Sequence, residues 1–253
     1  MGESGEPDRL SAERERVLDA YAKRRQRVRD GTVDPTQYTC FNRGYLFLHQ
    51  KLERRVLQIL ADRGYTDLSD VRILDVGCGD GIVGESDGIH LVDFLKYGAQ
   101  AENLHGVDIQ QAEIERGRSL NPAMRLEAMS AEALPYEDAS FDIVSQSTVF
   151  SSVLDMDMRM AIAAEMQRVL KPSGMILWYD FRVNNPRNSD IKKVSREELR
   201  SLFPSWSLRM RSASLASPIA RPVARRSWVL VQALNALPFL RTHYLGTISP
   251  PAR

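Results

Sequence analysis

Two cysteines, Cys40 and Cys78, are all that the 253 residues contain. That number cannot build a disulfide framework or a cysteine-based zinc site, and it points to a reducing compartment. No apolar run approaches the ~18 residues that a membrane span needs. The opening Met1-Gly2-Glu3-Ser4-Gly5-Glu6-Pro7 has no apolar core of the signal-peptide kind, so the expected location is the cytoplasm. Repeats and low-complexity tracts are missing as well. Acidic residues are missing from one region only: none follows Glu198.

That last absence exposes a charge split which the net charge of +1 hides. From Phe181 onward thirteen Lys and Arg face three acids, a local charge of +10, whereas the preceding 180 residues carry 21 against 30, or −9. Such asymmetry bears on partners rather than on fold. The length suits one sizeable domain, or one domain with an elaboration. The first eight or so residues are polar and are expected to be disordered.

Helix propensity predicts a helix over Ser11–Arg29, with Ser11 as its N-cap and Gly31 as its stop, and hydrophobic periodicity predicts a second over Leu46–Asp62, ended by Gly64. The pattern then alternates. Strands are expected at Val71–Val76, Leu104–Ile109, Met124–Met129, Phe141–Ser145 and Met175–Asp180. Helices are expected at Ile82–Tyr97, Gln110–Ser119 and Met158–Leu170. This order predicts an α/β fold, a mostly parallel sheet with helices on both faces. Residues 1–64 read as an N-terminal helical segment and 65–253 as the main domain.

The densest local signal is Asp75-Val76-Gly77-Cys78-Gly79-Asp80-Gly81, a buried strand running into alternate glycines. Glycine permits positive φ and lets a ligand approach the backbone. A second acid, Asp108, ends the next strand, where a carboxylate can accept hydrogen bonds from both hydroxyls of a ribose. The dinucleotide fingerprint fits less well, because its last glycine position would be Ile82 and Asp108 lies 27 residues past Gly81 instead of ~20.

The D-x-G-x-G-x-G pattern resembles motif I of the class I S-adenosylmethionine-dependent methyltransferases. The resemblance extends over Val71–Asp180. Gly106-Val107-Asp108-Ile109 resembles the second motif of that family. Ser130-Ala131-Glu132-Ala133-Leu134-Pro135-Tyr136 with Ser140-Phe141-Asp142-Ile143-Val144 resembles its D-A-x-x-L-P-F…S-F-D-x-V stretch, and Leu170-Lys171-Pro172-Ser173-Gly174 its turn before the fifth strand. It implies a Rossmann-like, seven-stranded sheet that binds S-adenosyl-L-methionine and releases S-adenosyl-L-homocysteine. Asp75, Gly77 and Gly79, with Cys78 the small residue between them, would hold the methionine end. Asp108 would hold the ribose, Ile109 would pack on the adenine, and Ala131 would offer it a backbone N–H. Gln146 would lie beneath the methionine portion. Ser130 stands where the family usually has Asp or Asn, so the adenine amino group would turn to Ser130 or Glu132.

The resemblance also places strands six and seven near Trp206–Ala213 and Thr242–Ile248. The second of these is antiparallel, so the connection 214–241 must leave and return at the carboxyl edge. A helical cap is therefore expected there, carrying Arg221, Arg225 and Arg226 toward an anionic or amphiphilic acceptor. Tyr38 and Arg43 would form the opposite wall, Arg43 toward the methionine carboxylate. His49 and His243 are the general-base candidates. No metal is expected, because Asp155 and Asp157 read as a helix cap.

The expected function is methyl transfer to an oxygen or nitrogen of a small molecule, such as a sugar, lipid or secondary metabolite. The alternatives are a cofactor-binding module without catalysis and an NAD-dependent dehydrogenase. Nucleic acid is not an expected partner, for want of a base-flipping motif, an appended module or a globally basic composition. A peripheral membrane contact through the cap fits the reading, and so does either a monomer or a homodimer.

Overall fold

All four residues of β1 (Ile73–Val76) are buried, the mark of a strand covered on both faces. The computed structural model describes residues 6–32, 34, 36–81, 87–186 and 188–251. Ahead of β1 come α1 (Glu6–Arg29) and α2 (Arg43–Asp62). After it follow α3 (Leu91–Lys96), β2 (Leu104–Asp108), α4 (Gln111–Leu120) and β3 (Arg125–Ala128). Next stand β4 (Phe141–Ser147), α5 (Val149–Ser152), α6 (Met156–Val169) and β5 (Leu170–Phe181). The remaining elements are α7 (Arg196–Leu202), β6 (Ser207–Leu215), α8 (Ser217–Arg226), α9 (Trp228–Ala236) and β7 (Arg241–Ser249).

The seven strands form one sheet in the order β3-β2-β1-β4-β5-β7-β6. Strands β1 to β5 are parallel, and β7 is antiparallel to both β5 and β6. Strand alternation feeds two cores. Ile176 and Trp178 of β5 join Met158, Ile162 and Met166 of α6 on one face. Leu177 and Tyr179 join Leu52 and Val56 of α2 and Phe94 of α3 on the other. The chain order turns outward in opposite directions from β1 and β4, so their carboxyl ends open the crevice in which α/β sheets bind ligands.

Three sequence expectations change. Helix α1 starts at Glu6, so Ser11 lies inside it; the expected disorder of residues 1–5 lies outside the described residues. Within the described part of the helix expected over Ile82–Tyr97, only α3 forms, because the His90 and Asp93 side chains make a reciprocal cap that starts it at Leu91. The first part of the expected helix, 82–86, lies outside the described residues. The cap after β6 holds two helices rather than one: α8 ends at Arg226, and Ser227 then caps α9 by accepting from Leu230 N. Because β6 is parallel to β5, both cap helices do leave and return at the carboxyl edge. Their own small core, Ala220, Ala224 and Val231, packs on Phe47 and Leu48 of α2.

Candidate active site

The turn after β1 is held from both sides. Gly77 N and Cys78 N donate to Val107 O at 2.8 and 3.1 Å, which ties the turn to β2. Gly79 N donates to Asp108 Oδ2 at 2.9 Å, and Gln110 N donates to Asp108 Oδ1 at 2.8 Å. One buried carboxylate thus spans the loops after β1 and β2. Gly77 has φ +72° and Gly79 φ +58°, the left-handed region that side chains resist. They differ in surroundings: a Cβ on Gly77 would overlap Val149 Cγ2, whereas one on Gly79 would meet open space. The Cys78 side chain fills the gap left by Gly106, where a Cβ would collide with its sulfur. Burial pushes that thiol well above its ordinary range, so it stays protonated and structural.

Two clefts meet over this turn. An apolar one of about 70 Å³ is lined by Val76, Val107, Ile109, Met129, Ala131 and Ile162, with Ser130 and Arg14 at hand. A polar one of about 100 Å³ is lined by Asp75, Cys78, Gly79, His90, Gln110 and Thr148. Gly77, Asp108 and Tyr21 belong to both. Asp75 Oδ1 is buried there without a hydrogen-bond partner among the described residues. Burial pushes the Asp75 carboxyl up to about 8, and the neighbouring charge of Asp108 adds to the effect. Burial likewise raises Asp108, against the two backbone N–H bonds that favour its charged form.

The roof of both clefts is α1. Val17 is fully buried and Leu10 packs against the core; polar contacts add to these two. Arg14 Nε donates to Glu132 Oε2 at 2.8 Å, Arg25 donates to Gln110, and Glu13 accepts from Leu154 N. Arg9 bridges Asp155 at 2.6 Å. The helix is therefore pinned to loops on both sides of the crevice. Tyr21 Oη lies 3.4 Å from Ser152 Oγ, and Tyr21 and Thr148 also line a third, outer cavity of about 340 Å³ with Arg24, Tyr38, Phe181, Asn185 and Ile191. Thr148, with φ +61° despite its branched side chain, is held there by donating its N–H to Tyr179 O at 2.8 Å. Such strain collects at functional sites.

Of the residues chosen from sequence, Asp75, Gly77, Cys78, Gly79, Asp108, Ile109, Ser130 and Ala131 come together around the two clefts. Glu132 stands just behind, accepting from Arg14 and Ser130. Gln146 is fully buried and bridges Val149 N and Tyr179 O beneath the turn. Tyr38 belongs to the outer cavity, receiving Arg24 Nη2 at 3.1 Å and the Arg221 guanidinium over its ring.

Six other choices part from the crevice. Arg43 lies exposed on the outside of α2, where Nη1 donates to Arg225 O at 3.2 Å, because Asn42 caps the helix and turns Gly44 inward against α8. Arg225 and Arg226 end α8 and are exposed, lining neither cleft nor the outer cavity, because Ala220 and Ala224 are the residues that face the core. Arg221 is engaged with Asp87 at 3.3 Å and with Gln37. The histidines are packed: His49 stacks on Tyr45 with Nε2 3.6 Å from Asp93, and His243 stacks on Tyr179 at 4.5 Å. Burial drives the His243 imidazole down to about 3, so it carries no charge near neutrality.

Sequence reasoning missed Tyr21, Arg14, Arg24, Met129 and Thr148. Leu10, Val17 and Tyr21 recur on one face of an otherwise charged helix, and that single stripe was the available signal. Among the described residues no His, Cys, Asp or Glu group could hold a metal, and no helix is long and apolar enough to cross a membrane. Asp155 caps α6, as expected.

A family model described as a methyltransferase domain matches residues 74–178, from β1 through most of β5. That span is under half of the chain, and over it the sequence is similar to methyltransferase domains. Over 157 residues it is 30% identical to a sterol 4-C-methyltransferase of Caenorhabditis elegans, covering 58% of this chain and 42% of that protein. Over 138 residues it is 29% identical to a 2-methyl-6-phytyl-1,4-hydroquinone methyltransferase of Synechocystis, covering 53% and 40%. The chain thus spans less than half the length of these methyltransferases. The solved 1,6-didemethyltoxoflavin-N1-methyltransferase of Burkholderia thailandensis shares the fold along the entire chain, covering 100% of it and 93% of the other at TM-score 0.58 and 16% identity. That structure contains S-adenosylhomocysteine.

Proposed function

We propose that the chain is a class I S-adenosylmethionine-dependent methyltransferase, moving a methyl group from that cofactor to an oxygen or nitrogen of an amphiphilic small molecule. The observation that carries the reading is the pairing of an apolar and a polar cleft across one buried carboxylate, Asp108, at the switch point of the sheet. The cofactor divides the same way, into an apolar ring, a diol and a charged amino acid. Bound, it would supply an electrophilic sulfonium methyl.

The chain's residues then bind and orient. Ile109, Met129 and Ala131 would flank the adenine, and Arg14 and Glu132 would close the cleft behind it. Asp108 would accept from the ribose hydroxyls with the lone pairs that Gly79 and Gln110 leave unused. The unpartnered Asp75 oxygen would take the ammonium. Tyr21 and Thr148 border both the polar cleft and the outer cavity, so they would orient an acceptor entering from Tyr38 and Phe181. With α1 excluding water, the gain is proximity and alignment. A cavity of about 340 Å³ suits a small molecule. Its mixture of Phe181 and Ile191 with Arg24 and Lys23 suits an amphiphile, in keeping with the sterol and phytyl hydroquinone in the relatives' names.

The test is transfer of labelled methyl groups from the cofactor across a panel of phenolic, hydroquinone and amine amphiphiles. Transfer to at least one supports the proposal. Tight binding of S-adenosylhomocysteine with no transfer to any would favour a binding module, and affinity for NAD alone a dehydrogenase.

Asp75 adds a pH signature. With its carboxyl raised to about 8, the free protein holds a proton there at neutral pH. An incoming ammonium favours the ionised form, so binding should release that proton, and affinity should rise up to about tenfold per pH unit between roughly 6 and 8. Without ligand, stability should fall as pH rises over the same range, because ionising Asp75 in the fold is unfavourable. Calorimetry in buffers of different ionisation enthalpy would show the release. Asp75→Asn should abolish the pH dependence; a slope retained in that variant would assign the proton elsewhere.

A further inference from the structure

The cap presents an apolar face that stays exposed among the described residues. Helix α9 contains no charged residue, and only Val231 of its nine residues is fully buried. Val229 is 80% exposed, Leu230 50% and, just beyond the helix, Phe239 74%. Leu237 is exposed as well. Val229, Leu230, Ala233 and Leu237 recur at helical spacing, so they form one face rather than scattered contacts. Singly exposed apolar residues need no explanation, but a clustered set does.

Arginines ring this face. Arg225 and Arg226 end α8 immediately before it, exposed to solvent. Arg43 reaches the same end, its guanidinium 6.0 Å from the Trp228 ring centre. At the far end Arg241 Nε donates to Asn235 O at 2.9 Å, and Arg182 donates to Arg241 O at 2.8 Å and Pro238 O at 3.4 Å. Among the described residues these three donate to main-chain carbonyls, Arg241 also to Ser212 Oγ, and none is paired with a carboxylate. No acidic residue occurs anywhere after Glu198.

We infer that the α9 face is a docking surface for an anionic lipid bilayer. An apolar strip flanked by basic side chains is the composition that lies in a membrane interface, the strip entering the acyl boundary and the arginines meeting lipid phosphates. A second copy of the chain fits worse. A symmetric pair would bring the same patch against itself and set one arginine ring against the other, with no acid of the cap between them. A neutral apolar partner would leave the ring without a counter-charge. Only an anionic interface satisfies both features. The surface stands at the carboxyl edge, and Phe181, next to Arg182, lines the outer cavity, so docking would bring that cavity toward the bilayer.

Co-sedimentation of the full chain with vesicles tests this without cofactor or acceptor. Its failure and that of the methyl-transfer proposal are therefore separable. The expected result is binding to phosphatidylcholine vesicles that contain phosphatidylglycerol, little binding to phosphatidylcholine alone, and weakening as salt rises. Arg225→Gln and Arg226→Gln should each weaken binding by about fivefold. Val229→Glu combined with Phe239→Glu should abolish it while leaving the thermal melt and the affinity for S-adenosylhomocysteine unchanged, because both positions are exposed and line neither cleft. The inference is overturned if the wild type stays in the supernatant with anionic vesicles at low salt, or if the double variant sediments like the wild type. It is also overturned if ultracentrifugation shows a dimer that this variant dissolves, with no vesicle binding by the wild type.

Discussion

Replacing Asp108 with alanine should weaken binding of S-adenosylhomocysteine by a hundredfold or more. The residue has two duties. It accepts from Gly79 N and Gln110 N, fixing the loops after β1 and β2. Its remaining lone pairs would accept two ribose hydroxyls, and hydrogen bonds to a charged group contribute roughly 1.5–3 kcal/mol each. Losing two at the low end amounts to about 3 kcal/mol, or two factors of ten in affinity. Asp108→Asn keeps one carbonyl oxygen and should fall between. Asp108→Ala also leaves Gly79 N and Gln110 N without their acceptor, so its melt should fall by several degrees, whereas Asp108→Asn keeps an acceptor oxygen and should melt closer to the wild type. Calorimetric titration of both variants checks this, and an unchanged Kd in Asp108→Ala would remove the residue from the site.

Gly77→Val should be the most damaging single change to the turn. Valine is branched, and φ +72° is a conformation that costs ordinary residues ~1–2 kcal/mol and branched ones more. Its Cβ would also overlap Val149 Cγ2. Val149 cannot yield easily, since its N–H is held by Gln146 Oε1 at 3.1 Å. Overpacking adds roughly 1–3 kcal/mol. Together the two effects should lower Tm by about ten degrees, at ~2–4 °C per kcal/mol for a chain of this size, and cofactor binding should vanish. Gly79→Ala provides the contrast. It meets the same backbone strain but open space, so Tm should fall only a few degrees while the added methyl enters the polar cleft and blocks the ligand. Scanning calorimetry with a titration separates the pair. Equal melts for the two variants would mean that the contact with Val149 is not what makes the first position a glycine.

The contrast between turn and roof shows which parts of the site a sequence displays. Asp75, Gly77, Gly79 and Asp108 lie in or beside two consecutive strands, and their chemistry follows from residue type and spacing, so the floor of both clefts was legible. The position of the cap was legible too, because an antiparallel last strand forces the connection to the carboxyl edge. Its arginines were not. Whether Arg225 and Arg226 look toward the site depends on which side of α8 packs, and Ala220 and Ala224 settle that against them. The roof was the least legible part. Helix α1 is fixed by ion pairs between residues more than a hundred positions apart, such as Arg14 with Glu132 and Arg9 with Asp155, and no local pattern encodes those. The histidines misled for a similar reason. A histidine invites a catalytic reading by type alone, but His243 is desolvated between Tyr179 and Phe181, and His49 faces Tyr45 and Asp93.

The most direct measurement is a crystal structure of the chain grown with S-adenosylhomocysteine. The expected density places the adenine between Ile109 and Met129 under α1, both ribose hydroxyls within hydrogen-bond distance of Asp108, and the amino group at Asp75. Ligand density outside the two clefts, or an occupied crevice in which Asp108 touches no hydroxyl, would contradict the account.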